Sequence, residues 1–358
     1  MGQYIELYKK YRPRTFADVV GQDTIVKSLQ MAIIENRVPT GYLFSGTAGT
    51  GKTSIARILA KSINCENPQP NGEPCNECGT CKAIDSDAQP GIKYISMANN
   101  GGAEEVRQIM EESRVSQPVK RKVFILDEVQ NMSSAAQDAM LIGLESDNQS
   151  TLFICCTTDP EKVKPAINSR LQIRTFRQLT TKELTSNLVN ICNKESNIKA
   201  KIKAGEITKE QIIQCAALAG GSVRNSISNL ETLVTSGSLP TEYSINILQA
   251  ILTANPLNVY IAIDSAANSG ANLNRTAEDV YRKFTAIFKI KAGASSNNEL
   301  LNDMAKHLPG NLIIKYLNDL SDTFKVVSNK VIDYKILYEM CFSQMALELK
   351  KYNEKNNR

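Results

Sequence analysis

Five short apolar runs punctuate the first half of the chain, and stretches with helical periodicity separate them. An apolar run without alternation is typical of a strand covered on both faces, as in a parallel sheet flanked by helices. The runs lie at residues 42–45, 92–96, 123–127, 151–157 and 173–176. Their alternation with helical patterns up to about residue 178 predicts an α/β fold with a parallel sheet.

Strand-like runs disappear after Thr180, and helical patterns take their place. Three of these patterns begin near Thr181, Thr208 and Ser222, where a Ser or Thr side chain can cap the first turn. We expect these three helices to form a small lid over residues 179–237.

The last third of the chain is helical as well, after a Gly-Ser-Leu-Pro break at 237–240. Small and polar residues interrupt the pattern near 268–274 and 293–298. Because 358 residues are too many for one compact core, we expect several domains. The predicted boundaries are 1–178 for the α/β core, 179–237 for the lid and 238–358 for a separate helical domain.

Net charge and targeting patterns add two constraints. The formal net charge is only +5, so any contact with nucleic acid has to come from a local basic surface. No signal-peptide pattern opens the chain, and no apolar run is long enough to cross a membrane. We therefore expect a reducing, cytoplasmic compartment.

A phosphate-binding pattern, G-x-x-x-x-G-K-T, follows the first predicted strand and precedes a helical pattern that Ser54 opens. Its residues are Gly46, Thr47, Ala48, Gly49, Thr50, Gly51, Lys52 and Thr53. Glycines let backbone N–H groups face a triphosphate, while Lys52 approaches the β- and γ-phosphates and Thr53 a Mg²⁺ ion. A coincidental Gly-rich turn is the alternative, but the flanking strand and helix supply the context that the motif needs. The pattern predicts a site for a nucleoside triphosphate.

Two carboxylates end the third predicted strand, where the apolar run 123–126 leads into Asp127 and Glu128. At the carboxyl end of a parallel strand, Asp127 can reach the Mg²⁺ shell and Glu128 can polarise an attacking water. A strand that merely ends in a solvated acidic turn is the alternative. Beside a phosphate loop, the pair predicts a Walker B element and hydrolysis of the nucleotide.

Four cysteines form a third constellation, in which Cys75, Cys78 and Cys81 follow Cys65 with C-x-x-C-x-x-C spacing. Four thiolates can close a tetrahedral Zn²⁺ site, which is structural when every ligand comes from protein. Disulfide pairing and an iron–sulfur cluster are the alternatives. A reducing compartment disfavours the first, and no other pattern indicates redox chemistry. We therefore expect zinc.

The order and spacing of these motifs resemble the gamma/tau subunit of bacterial DNA polymerase III, a clamp-loader ATPase of the AAA+ class. The resemblance is dense over about residues 4–236 and includes the cysteine segment, which clamp loaders of the replication factor C type lack. Matching segments besides the phosphate loop lie at 8–13, 16–22, 71–75, 99–101, 127–129, 157–160, 169–170 and 221–224. The resemblance implies a RecA-like ATPase core with a zinc insertion at 65–81, a helical lid, and a collar that holds subunits in a ring.

The resemblance also implies roles for single residues. Thr158 matches sensor 1, which hydrogen-bonds the γ-phosphate or the lytic water. Arg224 matches sensor 2, which reaches the γ-phosphate from the lid. Arg170 matches the arginine finger, which completes the site of a neighbouring subunit. A surface salt bridge is the alternative for a lone arginine.

The N-terminal segment is expected to close over the base and the ribose. Val19 and Val20 offer an apolar wall, and Arg12 a contact to phosphate or ribose. Tyr8 is the fourth candidate. Each of the four could instead pack at the junction of core and lid.

DNA contact is expected at a helix N-terminus, where unpaired N–H groups and the helix dipole attract phosphates without reading bases. The candidates are Asn100, Gly102 and Arg107, the last of which lies one turn inside the predicted helix. The alternative is a solvated face in which Arg107 pairs with Glu104 or Glu111.

Departures from the family pattern at four places indicate a divergent member. Gln130 replaces a histidine outside the carboxylate pair, which should matter little to the chemistry, and Leu171 replaces a cysteine after the predicted finger. Ile142 stands where a basic residue is common, and residues 146–148 replace Glu-Pro-Pro, so one DNA contact is expected to be missing. A viral or mobile-element origin is a hypothesis for such a chain, whose end soon after the collar is expected of a gamma form.

Together these features favour an ATP-hydrolysing motor subunit that helps to open a sliding clamp and load it onto primer–template DNA. The implied cofactors are ATP, Mg²⁺ and Zn²⁺. The implied partners are other clamp-loader subunits in a ring of about five, the clamp and DNA, without a membrane. The alternatives are an ATP-binding ring scaffold with weak hydrolysis and another AAA+ DNA motor such as a branch-migration translocase. Intact Lys52, Glu128 and Arg170 argue against the first, and the cysteine segment argues against the second.

Overall fold

The chain divides into two compact units, Met1–Pro240 and Thr241–Arg358. The structure is a computed structural model. It describes residues 5–115, 117, 119–144, 150–237, 239, 243–294, 296, 299–328 and 333–356. Within this described part of the chain, no helix is both long and apolar enough to span a membrane.

A parallel sheet forms the centre of the first unit. Its strands are β1 Gly41–Ser45, β2 Ile92–Ser96, β3 Lys122–Asp127, β4 Thr151–Thr157 and β5 Gln172–Thr175. They lie in the order β2-β3-β4-β1-β5, with parallel pairing throughout. The central strands β1, β3 and β4 are buried almost along their whole length, because both faces of the sheet are covered.

Helices lie before and between these strands, and some of them cover both faces of the sheet. They are α1 Leu7–Lys10, α2 Asp23–Ile34, α3 Lys52–Asn64, α4 Gly79–Asp85, α5 Ala103–Arg114, α6 Ser134–Leu144 and α7 Pro165–Asn168, with 3-10 helices at Phe16–Asp18, Val129–Asn131 and Pro160–Lys162. Successive strand residues point to opposite faces. Leu43 and Phe124 therefore pack with residues of α5 and α6, whereas Phe44 and Ile125 pack with residues of α2 and α3. The predicted fold class, an α/β phosphate-loop module followed by helices, is confirmed.

Four helices follow the sheet within the first unit, at α8 Thr181–Lys194, α9 Ser196–Lys203, α10 Lys209–Ala217 and α11 Val223–Ser236. Thr180, Thr208 and Ser222 cap α8, α10 and α11 through their side-chain oxygens. Thr208 and Ser222 stand at the predicted starts, and Thr180 lies one residue before the predicted Thr181. The prediction of three helices is wrong, because Glu195 adopts an extended conformation and separates α9 from α8. The polar α9 has only Ile198 as a buried residue, so its helical pattern is weak.

The N-terminal segment packs on these helices. Leu7 and Tyr11 lie against their shared core. Leu7 N donates to Glu231 Oε1 at 2.9 Å, and Tyr11 Oη donates to Glu195 Oε1 at 2.6 Å. The beginning of the chain is thereby fixed to helices that lie about two hundred residues later.

In the second unit, every element of secondary structure among the described residues is a helix. They are α12 Tyr243–Leu252, α13 Pro256–Asn268, α14 Leu273–Lys291, α15 Glu299–His307, α16 Gly310–Ser328 and α17 Tyr334–Asn356. Phe284, Tyr316 and Phe342 are among the residues of its core. The predicted interruptions near 268–274 and 293–298 coincide with the ends of α13 and α14. The predicted substitution at 146–148 lies outside the described residues, and the break at 237–240 and the interruption at 293–298 lie partly outside them.

Glu183 connects the last strand to the first turn of α8. Its carboxylate accepts two hydrogen bonds from Arg177, at 2.5 and 2.9 Å, and one from Thr180 N at 2.9 Å. The Arg177 guanidinium and the Thr180 N–H lower the pKa of Glu183 from 4.5 to about 2. The ionised carboxylate is therefore the form that the fold favours.

This pKa shift predicts a pH-dependent contribution to stability. Because the folded-state pKa is depressed, Glu183 stabilises the fold fully above about pH 4.5, and the effect is lost as pH falls from about 4.5 toward about 2. Glu183→Gln keeps the shape of the side chain but not its charge. We expect it to lower the melting temperature at pH 7 and to lower it less at pH 3.5, where part of the contribution is already lost.

Thermal unfolding at the two pH values checks this expectation. Glu161→Gln, at an exposed position of the 3-10 helix Pro160–Lys162, is the matched control and should follow the unsubstituted chain at both values. An equal offset of Glu183→Gln at pH 7 and pH 3.5 would show that its charge does not stabilise the fold.

Candidate nucleotide site and cysteine cluster

The loop between β1 and α3 turns through three glycines with positive φ, namely 145° at Gly46, 77° at Gly49 and 102° at Gly51. A Cβ atom on Gly46 would lie 2.5 Å from Phe176 O, and one on Gly49 would lie 2.0 Å from Ser222 Oγ. Backbone conformation and close approach both require glycine here. The loop therefore has the tight curvature that turns backbone N–H groups toward a phosphate.

Lys52 is the first residue of α3, and only 7% of it is exposed. Its Nζ donates to Gly46 O at 2.7 Å and to Thr47 O at 2.9 Å. Burial lowers the pKa of Lys52, while the nearby Asp127 carboxylate favours the charged form. The loop thus holds an ammonium group next to the backbone that a phosphate would approach.

The Asp127 carboxylate lies beside the first turn of α3. Its Oδ2 accepts hydrogen bonds from Thr53 Oγ1 and from Tyr94 Oη, both at 2.8 Å, and its Oδ1 accepts one from Glu128 N at 3.0 Å. A hydroxyl and a carboxylate side by side are the oxygen donors that Mg²⁺ prefers. The residues predicted for Mg²⁺ therefore fit that ion.

Tyr94 was not anticipated from the sequence. It lies on β2, and its ring packs against the Arg57 guanidinium at 5.0 Å. Burial and the hydrogen bond to Asp127 raise the pKa of Tyr94, so the phenol remains a donor. Its only signal in the sequence is an aromatic residue two positions before the end of a predicted strand.

Glu128 has a left-handed backbone, with φ 58° and ψ 43°. A residue other than glycine is uncommon in this region, and such strain tends to occur at functional sites. Glu128 is exposed and lines the same cavity as Lys52, and Asn131 Nδ2 lies 3.4 Å from its Oε2. Water can therefore reach the carboxylate next to the loop.

Gln130 joins the end of β3 to the end of β4. Its Oε1 accepts hydrogen bonds from Thr157 Oγ1 at 2.9 Å and from Thr158 N at 3.4 Å. Sequence analysis assigned no role to this amide, because its role depends on how closely two strand ends approach each other. In the fold it positions the main chain at Thr158.

One cavity at the carboxyl edge of the sheet collects most of the predicted nucleotide contacts. Its lining includes residues 48–54 of the loop, and Asp127, Glu128, Thr158 and Arg224. The N-terminal candidates Tyr8, Arg12, Val19 and Val20 line it as well, as do Asp18, Asn187 and Ile227, which sequence analysis missed. Gly46 and Thr47 are not part of the lining; their carbonyl groups accept from Lys52 instead.

The beginning of α11 touches the phosphate loop directly. Val223 N donates to Gly49 O at 2.9 Å. The next residue, Arg224, lies with its guanidinium 5.8 Å from the centre of the Tyr8 ring. The N-terminal segment, α11 and the phosphate loop therefore form three sides of the cavity.

Arg170 lies elsewhere on the surface of the first unit. It follows α7, is exposed, and donates from Nη1 to Ala166 O at 2.9 Å. It does not belong to the described lining of the cavity of its own chain. A role toward a neighbouring subunit stays a prediction.

The four predicted metal ligands meet in one cluster. The Sγ atoms of Cys65, Cys75, Cys78 and Cys81 all lie within 4.8 Å of one another, and the four residues are free thiols. Tetrahedral zinc at about 2.3 Å from each sulfur requires sulfur atoms about 3.8 Å apart, and Cys75 Sγ lies 4.0 Å from Cys81 Sγ. The donor set and its size fit zinc.

Backbone N–H groups point at these sulfur atoms. Cys75 Sγ accepts from Glu77 N at 3.4 Å and from Cys78 N at 3.3 Å, and these two bonds lower the pKa of Cys75 to about 6. Burial raises the pKa of Cys65 and of Cys81. The backbone of the turn thus stabilises the Cys75 thiolate without the help of a metal ion.

Lys61, a buried cation of α3, fixes the cysteine segment to the core. Only 1% of it is exposed, and its Nζ contacts Asp85 Oδ1 at 2.9 Å and Asn76 Oδ1 at 2.6 Å. Lys120 Nζ donates to Cys65 O. Sequence analysis missed both lysines, since a lysine side chain is usually solvated.

The predicted DNA contacts lie at the start of α5. Gly102 precedes the helix as its N-cap residue, and Asn100 Nδ2 donates to Ser96 O at 3.0 Å. Arg107 forms an ion pair with Glu104 at 3.1 Å, in which both side chains are mostly exposed. Such a pair contributes little and can exchange with a phosphate. DNA binding at this place stays a prediction.

Comparison with known proteins adds family information to this geometry. Residues 21–180 match the family model described as DNA polymerase III, delta subunit. This match spans the phosphate loop, the cysteine cluster and all five strands. Among solved structures, the T158V variant of RuvB from Thermotoga maritima matches with a TM-score of 0.47 and 17% identity, over 81% of this chain and 94% of that one. The clamp loader delta protein YqeN of Bacillus subtilis matches with a TM-score of 0.40 and 11% identity, over 89% and 98%.

Curated relatives share much more of the sequence. DNA polymerase III subunit tau of Bacillus subtilis is 38% identical over 232 residues, which are 64% of this chain and 40% of the relative. Subunit tau/gamma of Haemophilus influenzae is 31% identical over 323 residues, which are 85% and 46%. This chain thus spans less than half the length of these relatives. Their similarity identifies the chain as a protein of the DNA polymerase III gamma/tau type.

Proposed function

We propose that the chain is an ATP-hydrolysing motor subunit of a clamp loader, which helps to open a sliding clamp and to place it on primer–template DNA. The convergence of Lys52, Asp127 and Glu128 on one cavity carries this proposal, because binding and hydrolysis need these groups together. The gamma/tau relatives support the replication context. A scaffold that binds ATP without hydrolysing it would not need Glu128 beside the loop.

In this proposal ATP occupies the cavity with its phosphates at residues 48–54. Lys52 supplies positive charge at the β- and γ-phosphates, and the N–H groups of the loop replace water around the phosphate oxygens. Val19 and Val20 provide an apolar wall for the base, and Arg12 is close enough to the same cavity to contact phosphate or ribose.

Thr53 and Asp127 are the residues that would hold Mg²⁺, which when bound neutralises charge on the phosphates. Glu128 orients a water molecule for in-line attack and draws on its proton. Thr158, held by Gln130, donates toward the γ-phosphate or the attacking water. Arg224 reaches the same phosphate from α11, so closure of α11 over the loop depends on the nucleotide.

Arg170 acts in this proposal on the site of a neighbouring subunit, where it stabilises charge on the transferring phosphoryl group. Residues 179–237 serve as the lid and residues 238–358 as the collar that joins subunits in the ring. Asn100, Gly102 and Arg107 face DNA at the start of α5. A structural Zn²⁺ ion on the four cysteines holds the insertion 65–81 together.

Glu128→Gln gives the sharpest test of hydrolysis. It keeps shape and hydrogen bonding but removes the charge that polarises water, so ATP should bind as before while turnover falls by about a hundredfold or more. Turnover is measured for the chain with and without primed DNA and a sliding clamp, and ATP affinity by equilibrium binding. Stimulation by the primed DNA and clamp separates a clamp-loading motor from a scaffold and from another DNA motor.

Glu111→Gln, an exposed position on α5, is the matched control and should keep normal turnover. Near-normal turnover of Glu128→Gln would remove Glu128 from the mechanism. Failure of the unsubstituted chain to hydrolyse ATP in any of these mixtures would contradict the motor assignment.

The cysteine cluster predicts about one tightly bound Zn²⁺ per chain, because metal binding and folding of such a site are coupled. Cys78→Ser should lower the zinc content measured by elemental analysis and lower the melting temperature. Cys341→Ser, at a half-buried position in α17, is the control and should retain the metal. A metal-free chain from a reducing preparation, or a disulfide among the four cysteines, would refute the zinc site.

A role of Arg170 in trans predicts a separation of binding from assembly-dependent turnover. Arg170→Ala should leave ATP binding by the isolated chain nearly unchanged but reduce the hydrolysis that assembly stimulates by at least about a hundredfold. Mixing this variant with Lys52→Ala should restore part of the activity, since an intact site then meets an intact finger at one junction. Arg37→Ala, an exposed arginine of the same unit, is the control. Loss of ATP binding by isolated Arg170→Ala would assign the residue to its own site or to the fold.

A further inference from the structure

Glu73, in the turn that precedes Cys75, is a buried carboxylate with its partners in a distant part of the chain. Only 8% of it is exposed. Its Oε2 accepts from Phe16 N at 2.7 Å, and its Oε1 accepts from Ala17 N at 2.9 Å. Gln30 Nε2 lies 3.5 Å from the same Oε1. Both oxygens of the carboxylate therefore hold the main chain of the N-terminal segment.

This contact fixes the first residues of the 3-10 helix Phe16–Asp18. Hydrogen bonds from N–H groups to a carboxylate are stronger than bonds between neutral groups, and a buried carboxylate requires such partners. The Phe16 side chain is buried in the core beside α2 and α3, so the segment is anchored on both sides of its backbone. The first two N–H groups of the helix thereby gain a partner that lies outside it.

The last residue of this 3-10 helix and the two residues that follow it form a wall of the nucleotide cavity. Asp18, Val19 and Val20 all belong to the lining. Asp18 also stabilises the start of the helix, through a capping box with Thr15. A shift of the helix by a fraction of an ångström would therefore move the wall that faces the base and the ribose, whereas the phosphate loop belongs to a different segment.

The other side of Glu73 is the cysteine cluster. Residues 69–73 form a tight turn, in which Gly72 N donates to Gln69 O and Gln69 N donates to Glu73 O, both at 2.9 Å. Gly72 lies so close to α2 that a Cβ there would be 3.3 Å from Gln30 O. The turn leads directly into Cys75. Glu73 and a cysteine of the cluster therefore lie in one short segment, so a change in the cluster can move the Glu73 carboxylate.

We propose that Glu73 is a positioning residue that couples the cysteine cluster to the base and ribose wall of the nucleotide cavity. Metal in the cluster orders the turn, the turn places the carboxylate, and the carboxylate holds residues 16–20 against the nucleotide. This inference rests on the proposed ATP site. It adds that affinity for the nucleoside part of ATP depends on a segment that does not itself line the cavity.

Calorimetric binding of ATP and of inorganic tripolyphosphate, each with Mg²⁺, tests this coupling. Tripolyphosphate carries no base or ribose, so it reports on the phosphate contacts of the cavity and on general folding. Glu73→Ala should weaken ATP binding by about tenfold, which is only part of the free energy of two charge-assisted hydrogen bonds because the loss reaches the nucleotide indirectly, and leave tripolyphosphate affinity unchanged. Glu73→Gln keeps one acceptor oxygen and should be intermediate. Glu77→Ala removes an exposed carboxylate from the same segment and is the matched control, with normal affinity for both ligands.

Removal of zinc provides the second arm. In the unsubstituted chain, zinc removal by a chelator should weaken ATP binding selectively. In Glu73→Ala it should have little further effect, because the connection is already broken. Additive losses from zinc removal and from Glu73→Ala would show that the two act independently, which overturns the coupling.

The outcomes separate this inference from the ATP site itself. Glu73→Ala with normal ATP affinity would refute the role of Glu73, and an equal loss for ATP and tripolyphosphate would assign it to general folding. If the unsubstituted chain binds tripolyphosphate but ATP no more tightly, the cavity has no nucleoside wall and the coupling is refuted with it. If it binds neither ligand, the nucleotide site is refuted.

Discussion

Parallel pairing of β1, β3 and β4 brings the ends of three strands to one edge of the sheet, and the nucleotide site depends on this pairing. Ser45 pairs with Thr157, and Ser96 with Asp127, so the strand ends are level across the sheet. The phosphate loop, the carboxylate pair and Thr158 follow these ends, although they are far apart in sequence. The two faces of the sheet pack into different clusters of side chains, so a slip by one residue would move every strand side chain into the wrong cluster. Burial of the sheet thus determines the geometry of a site that is itself polar.

Features that depend on residues close together in the chain could be predicted from the sequence. The strands were recognisable because burial on both faces requires continuous apolar runs, and the caps at Thr180 and Ser222 because a hydroxyl satisfies the N–H groups next to it. The phosphate loop carries its glycines and Lys52 within eight positions. The cysteine cluster was equally local, since three of its ligands are spaced by two residues each.

Features that depend on contacts between distant segments could not be predicted. Tyr94 meets Asp127 only because β2 pairs with β3, and the Gln130 amide meets Thr158 only at the end of β4. Glu73 looks like an ordinary surface carboxylate until the N-terminal segment covers it. Single-sequence patterns report which face of an element is buried. They do not report which element covers that face. The start of α9 was missed for a different reason, because this helix has too little apolar surface to show a helical pattern of its own.

The hydrogen bond from Val223 N to Gly49 O joins the backbone of α11 to the backbone of the phosphate loop, and no side-chain atom takes part in it. Substitutions along α11 therefore leave donor and acceptor in place, provided that proline does not remove the N–H at position 223. The close approach of the two segments requires that residue 49 has no Cβ, since a Cβ there would lie 2.0 Å from Ser222 Oγ. The amino acids on the outer surface of α11 can thus change during evolution while the hydrogen bond to the phosphate loop stays the same. Among related sequences, we expect many different amino acids at the surface positions of α11 and only glycine at position 49.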